Sequence, residues 1–162
     1  MNIKITGTGS CIPKKTKLNS SFSENSFYDS NGVHIESSNS EIIEKFKAIT
    51  GIEKRRYIND NETVADIAIE AALVTINDSK VDPETIDYII VAHNVGDITL
   101  DSHQVNTLPS LASKVKAGLK IQNPNCIAYD ILFGCPGWVE GIIQAKAFIK
   151  ADMAIKCLVI GA

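Results

Sequence analysis

The sequence predicts an α/β fold with a mostly parallel, five-stranded sheet. Three observations carry that expectation. Short, nearly continuous apolar runs such as Ile86–Ala92 and Lys156–Gly161 suit strands covered on both faces. Segments with apolar residues at helical spacing, among them Val64–Val74 and Val139–Ala151, lie between such runs. The two kinds of segment alternate along the chain, which is the order of a layered α/β protein.

The elements follow in order. Ile3–Gly9 alternates and ends in glycines, so it reads as a strand and a turn. Residues 14–39 form a long polar excursion rich in Ser and Asn, with a small hairpin expected at Asp29-Ser-Asn-Gly32. Ser40–Ala48 reads as a helix with Ile42, Ile43 and Phe46 on one face, stopped by Thr50-Gly51-Ile52. Lys54–Ile58 reads as a short strand. Asp60–Thr63 opens the next helix, whose apolar face is Val64, Ile67, Ala68, Ala71 and Val74. Pro83 marks a turn, Ile86–Ala92 a strand, and residues 94–102 a polar loop. Leu108–Gly118 reads as a helix with Pro109 in its first turn. Cys126–Leu132, the corner Phe133–Trp138, a helix over Val139–Ala151 and a last strand over Lys156–Gly161 complete the chain.

At 162 residues the chain suits one domain with a sizeable core. A net charge of −3 gives no general attraction to nucleic acid or to an anionic membrane. No apolar run reaches the roughly 18 residues of a membrane-spanning helix. The N-terminus lacks the layout of a signal peptide, and a cytoplasmic location is expected. None of the four cysteines, Cys11, Cys126, Cys135 and Cys157, forms a C-x-x-C pair, so neither zinc nor thioredoxin-like chemistry is expected. Cys126 and Cys157 lie in apolar runs and read as inert core residues. The chain stops at Ala162 directly after an apolar strand, which suggests a cut boundary inside a larger protein.

The chemistry is expected at Cys135. An apolar strand runs into Phe133-Gly-Cys-Pro-Gly-Trp138, and a helical pattern follows. That order places a thiol at a strand-to-helix corner, facing the unsatisfied N–H groups and the positive dipole end of the helix. Such a setting favours the thiolate, the nucleophilic form. Gly134 permits the sharp turn, Pro136 suits the first helical position, and Gly137 is expected to keep the space above the sulfur open. The helix reads as buried, with Val139, Ile142, Ile143, Ala147 and Ile149 on a broad apolar arc and small Gly141 and Ala145 for close packing. A hydrolase elbow would need glycine where Phe133 stands. His34, His93 and His103 read as structural or solvated, although His93 ends a strand where active-site groups of parallel sheets often lie. Gly7-Thr-Gly9 is a lone glycine doublet and signals no phosphate site.

Several segments together resemble the N-terminal half of beta-ketoacyl-ACP synthase III, a thiolase-fold condensing enzyme. They are Ile5–Pro13, Thr50–Arg56, Asp87–Ala92, Pro109–Ser113, Tyr129-Asp130 through the cysteine corner, and Cys157–Ala162. The resemblance implies that residues 1–162 are one half of a duplicated, thiolase-like α/β unit, the half that bears the nucleophile, with the C-terminal half lying outside this chain. It implies that Cys135 attacks an acyl thioester, acyl-CoA or acyl-ACP, and that the acyl-cysteine then condenses with the carbanion left by decarboxylation of malonyl-ACP. The Cys135 N–H would supply one arm of an oxyanion hole. Leu108 corresponds to a bulky residue that reaches into the acyl pocket of a dimer partner, and Arg55 and Arg56 to a basic segment near the coenzyme A entrance. Coenzyme A or carrier-protein thioesters are implied as substrates, with no cofactor or metal. The family's His and Asn that promote decarboxylation lie in the C-terminal half, so this chain alone is expected to be inactive and to expose the apolar face meant for that half. Lys45 stands where the family often has an aromatic residue that stacks on adenine, which leaves room for a carrier-bound donor. The Phe-Gly-Cys-Pro-Gly-Trp corner departs from the small residues usual in the family. Fatty-acid initiation, or a specialised route such as aryl polyene or alkylresorcinol formation, is the implied setting. The alternative is a catalytically dead thiolase-like module that serves as scaffold or dimer partner of a complete synthase.

Overall fold

The computed structural model describes residues 3–98 and 104–162. The chain divides into two compact units: Pro13–Asn59, and Met1–Ile12 together with Asp60–Ala162.

The smaller unit pairs β1 (Lys15–Leu18) antiparallel with β2 (Lys54–Tyr57), beside helix α1 (Asn39–Thr50). Ser38 caps α1: its hydroxyl accepts the Glu41 N–H, and the Glu41 side chain returns to the Ser38 N–H. Gly51, at φ 69°, ends the helix in the left-handed conformation that glycine adopts without a Cβ penalty. The expected hairpin is present. Tyr28 and His34 form an antiparallel bridge, and Asp29 Oδ1 accepts the N–H groups of Asn31 and Val33 at 2.8 and 2.9 Å. Those two bonds hold the Asp29 carboxyl below its ordinary value. Arg55 and Lys17, paired across the ribbon, sit over the ring of Phe22, and Arg55 also over Phe46.

The larger unit holds the parallel sheet, in the order β4 (Ile127–Leu132), β3 (Tyr88–His93), β5 (Cys157–Gly161). Helices α2 (Val64–Ser79) and α3 (Leu111–Gly118) pack on one face through Ile89, Val91, Leu158 and Ile160; α4 (Gly137–Lys150) packs on the other through Ile90 and Ala145. β3 is therefore buried along its whole length, as its unbroken apolar run requires. Burying each of Ile89, Ile90 and Val91 contributes about 1.5–3 kcal/mol. Tyr88 stacks on Phe148 with centroids 4.6 Å apart, and Tyr129 closes this cluster edge-on.

The α/β class and the parallel core agree with the sequence, but the strands do not form one five-stranded sheet. Two of them form the separate antiparallel ribbon, and Ile3–Gly9 forms no strand. The glycines explain the latter. A Cβ on Gly9 would stand 2.6 Å from Thr75 N, and one on Gly7 2.8 Å from Thr75 O, so this segment lies tight against α2. The strand expectation followed alternation alone and missed Lys15–Leu18, whose charged residues resemble a loop. Pro109 lies before α3 rather than in its first turn: Ser110 is the cap, accepting the Ser113 N–H, and the Leu108–Pro109 peptide is cis. The buried side of α2 runs along Ala65, Ala68 and Ala72, one step round from the expected face, and leaves Val74 exposed.

Candidate active site

Cys135 lies three residues beyond the end of β4 and two before the first residue of α4, at the carboxyl edge of the sheet. The turn is held by backbone bonds. Phe133 N–H donates to His93 O at 3.2 Å, and Gly137 N–H to Gly134 O at 2.8 Å. Pro136 occupies the cap position, one before the helix, with φ −82° and ψ 4°. Pro136 makes no side-chain cap hydrogen bond to the first turn of the helix. The Cys135 side chain is exposed, flanked in sequence by half-exposed Phe133 and Trp138.

Gly137 serves packing rather than access. A Cβ there would stand 3.1 Å from Ala92 Cβ and 3.3 Å from Phe133 Cβ, so glycine lets the helix start directly against β3. Gly141 and Ala145 continue that buried stripe. The helix is not buried all round, however: Val139 and Ile143 are 52% and 54% exposed.

The other cysteines differ in kind. Cys126 is buried just ahead of β4, and burial raises its thiol pKa. Cys157 opens β5, and its thiol is pushed up to about 11, first by burial and then by Asp87. Both belong to the apolar packing, as their sequence settings suggest.

Leu108 shares the larger unit with Cys135 and is 82% exposed. Arg55 and Arg56 belong to the smaller unit. Arg55 Nη1 donates to Asn19 Oδ1, and Arg56 Nη1 to Lys14 O at 3.3 Å. His34 meets Tyr28 edge-on, and His103 lies outside the described residues. Among the described residues no group of three His, Cys, Asp or Glu side chains is placed to hold a metal. No helix among them is long and apolar enough to cross a membrane.

One cluster was not singled out from the sequence. Asp130, in β4, accepts the Leu111 N–H through Oδ2 and the Ala112 N–H through Oδ1, both at 2.8 Å, so it caps α3. Its Oδ2 also stands 3.0 Å from Nε2 of His93, which is 4% exposed. The available signal was a carboxylate inside an apolar strand run, which requires buried partners.

No family model matches the chain. Curated relatives do. Beta-ketoacyl-[acyl-carrier-protein] synthase III 1 of Vibrio cholerae is 37% identical over all 162 residues, which cover 44% of that protein. The chain is homologous to the N-terminal half of beta-ketoacyl-ACP synthase III. The synthase III of Actinobacillus succinogenes is 32% identical over 161 residues, again 44% of its length. The chain thus spans a little under half of the synthase III relatives it matches. The crystal structure of 3-oxoacyl-[acyl-carrier-protein] synthase III from Aquifex aeolicus superposes with a TM-score of 0.76 at 29% identity, covering 99% of this chain and 44% of that one. OleA of Xanthomonas campestris, solved with lauric acid and lauroyl-CoA, shares the thiolase-like fold with a TM-score of 0.76 at 20% identity, over 99% of this chain and 43% of that one.

Proposed function

We propose that this chain is the nucleophile-bearing half of a condensing acyltransferase and that Cys135 carries the acyl group. The observation that supports this best is the exposed thiol two residues before α4, on the carboxyl edge of a parallel sheet, within a chain homologous to synthase III along its whole length. The thiolate attacks the carbonyl of an acyl thioester, the coenzyme A or carrier thiolate departs, and an acyl-cysteine thioester remains. The Cys135 N–H lends one donor to the developing oxyanion. Malonyl-ACP then loses carbon dioxide, its carbanion attacks the acyl-cysteine, and Cys135 leaves as the thiolate. The groups that assist decarboxylation belong to a second α/β unit beyond this chain, so the chain alone is inactive. Leu108 reaches from an exposed position into the acyl pocket of a second protomer, and Arg55 and Arg56 attract the anionic donor.

Full-length protein incubated with acyl-CoA, and separately with acyl-ACP, should gain the mass of one acyl group, and Cys135→Ser should abolish the gain. Absence of acylation by both donors would favour the scaffold alternative. Release of free acid without a condensed product would indicate a thiol hydrolase.

A further inference from the structure

His93 ends β3, the central strand of the parallel sheet. The chain runs through α3 on one face to reach β4, and through α4 on the other face to reach β5. In parallel sheets ligand-binding groups gather at the carboxyl ends of the strands. The imidazole there is 4% exposed. Asp130, which it meets at 3.0 Å, already accepts two backbone N–H groups from the first turn of α3. Each Asp130 oxygen already accepts a backbone N–H, so the side chain acts here as an acceptor. The network therefore assigns the imidazole proton to Nε2, donating to Asp130. Nδ1 is left as a buried acceptor with no hydrogen-bond partner among the described residues. A buried polar atom without a partner is uncommon enough to require a reason. One further bond ties His93 to the cysteine turn, and Asp130 links it to α3. The His93 carbonyl accepts the Phe133 N–H, two residues before Cys135. Asp130, in turn, fixes Leu111, three residues after Leu108.

We propose that His93 is a positioning residue for Cys135: its Nε2–H fixes Asp130, and through Asp130 it fixes both the exit of β4 into the cysteine turn and the start of α3 behind Leu108. The ring reaches the carboxylate through Nε2, and Nδ1 is left without a partner among the described residues. No proton passes from His93 to substrate. The proposal rests on the reading of Cys135 as the acylated thiol, and its test includes one measurement that needs no acyl chemistry.

Three variants of the full-length protein decide it. His93→Gln places an amide N–H near the Nε2 position, His93→Asn places one near Nδ1, and His93→Leu places none. For each, the rate of Cys135 alkylation by iodoacetamide, the maximal rate of Cys135 acylation, the donor concentration at half-saturation and the urea midpoint are measured. The Leu and Asn variants should slow alkylation and acylation about tenfold with half-saturation changed less than about twofold, and the Gln variant should stay within about threefold of the parent. Parent-like rates in the Leu variant would overturn the proposal. So would an equal loss in the Gln variant, or losses that simply follow the urea midpoint. If the parent accepts no acyl group while the alkylation rates follow the expected order, the positioning role stands and the acyl-transfer reading falls.

Discussion

Asp97 joins two helices: its Oδ2 takes Lys114 Nζ from α3 at 2.9 Å, while its Oδ1 accepts the Val64 N–H at the start of α2 at 3.0 Å. The carboxylate is buried, and Lys114 retains only 22% side-chain exposure. Removing one member of so enclosed a pair leaves the other charge without compensation. Asp97→Ala should therefore destabilise the chain by about 3 kcal/mol in urea unfolding. Asp97→Asn, which keeps an acceptor for α2, should cost less. A loss below about 0.5 kcal/mol in Asp97→Ala would show that the two helices are held by apolar packing alone.

The approach of the N-terminal segment to α2 predicts a contrast between glycines. At Gly9 an added Cβ meets backbone, Thr75 N at 2.6 Å and Ala71 O at 2.7 Å, so the chain itself must move. At Gly134 it meets nothing within 4 Å. Gly9→Ala should cost about 1–3 kcal/mol and loosen the Thr8 N–H bond to Asp78, seen as faster amide exchange at Thr8. Gly134→Ala should change stability by less than about 0.5 kcal/mol. Equal thermal midpoints for the two variants would contradict the packing of this segment.

These glycines also mark the limit of what the sequence reveals. Buried β3 and the cysteine corner between β4 and α4 are legible because their apolar runs, turn residues and helical period agree with one another. Local patterns say less where a distant partner decides. Ile3–Gly9 alternates like a strand yet lies against a helix, and Lys15–Leu18 resembles a loop yet pairs with Lys54–Tyr57 across a separation no local signal spans. The place of Cys135 between β4 and α4 follows from its neighbours along the chain. The His93–Asp130 contact does not, because it joins residues 37 apart that meet only once β3 and β4 are in register.

The uncovered side of α4 predicts behaviour in solution. Leu132, Val139 and Ile143 are each more than half exposed, and Trp138 and Phe133 nearly so. Large apolar side chains exposed within one short stretch, as over residues 132–143, are the pattern of an interaction site. The isolated chain should show a scattering mass above that of a monomer at high concentration, and Val139→Lys with Ile143→Glu should return it to the monomer. A monodisperse parent monomer would contradict the reading of this side as a surface meant to be covered.

The thiols should sort by environment. Cys157 is pushed from 9.0 to about 11, so roughly one molecule in a thousand carries its thiolate at pH 8. Cys126 is raised in the same direction by burial, whereas the Cys135 side chain is exposed. Iodoacetamide at pH 8 should therefore label Cys135 well before Cys126 or Cys157 in the folded chain, and the label should vanish from that peptide in Cys135→Ser. The raised value also links Cys157 to stability. Below pH 9 both folded and unfolded forms hold the proton; between about 9 and 11 the unfolded chain loses it first, so stability falls as pH rises through that window. The urea midpoint of the parent should drop from pH 9 to 11 more steeply than that of Cys157→Ala, which lacks the titrating group. Parallel profiles, or labelling of Cys157 as fast as Cys135 at pH 8, would mean that the first residue of β5 is open to solvent and that the division between packed and reactive thiols is wrong.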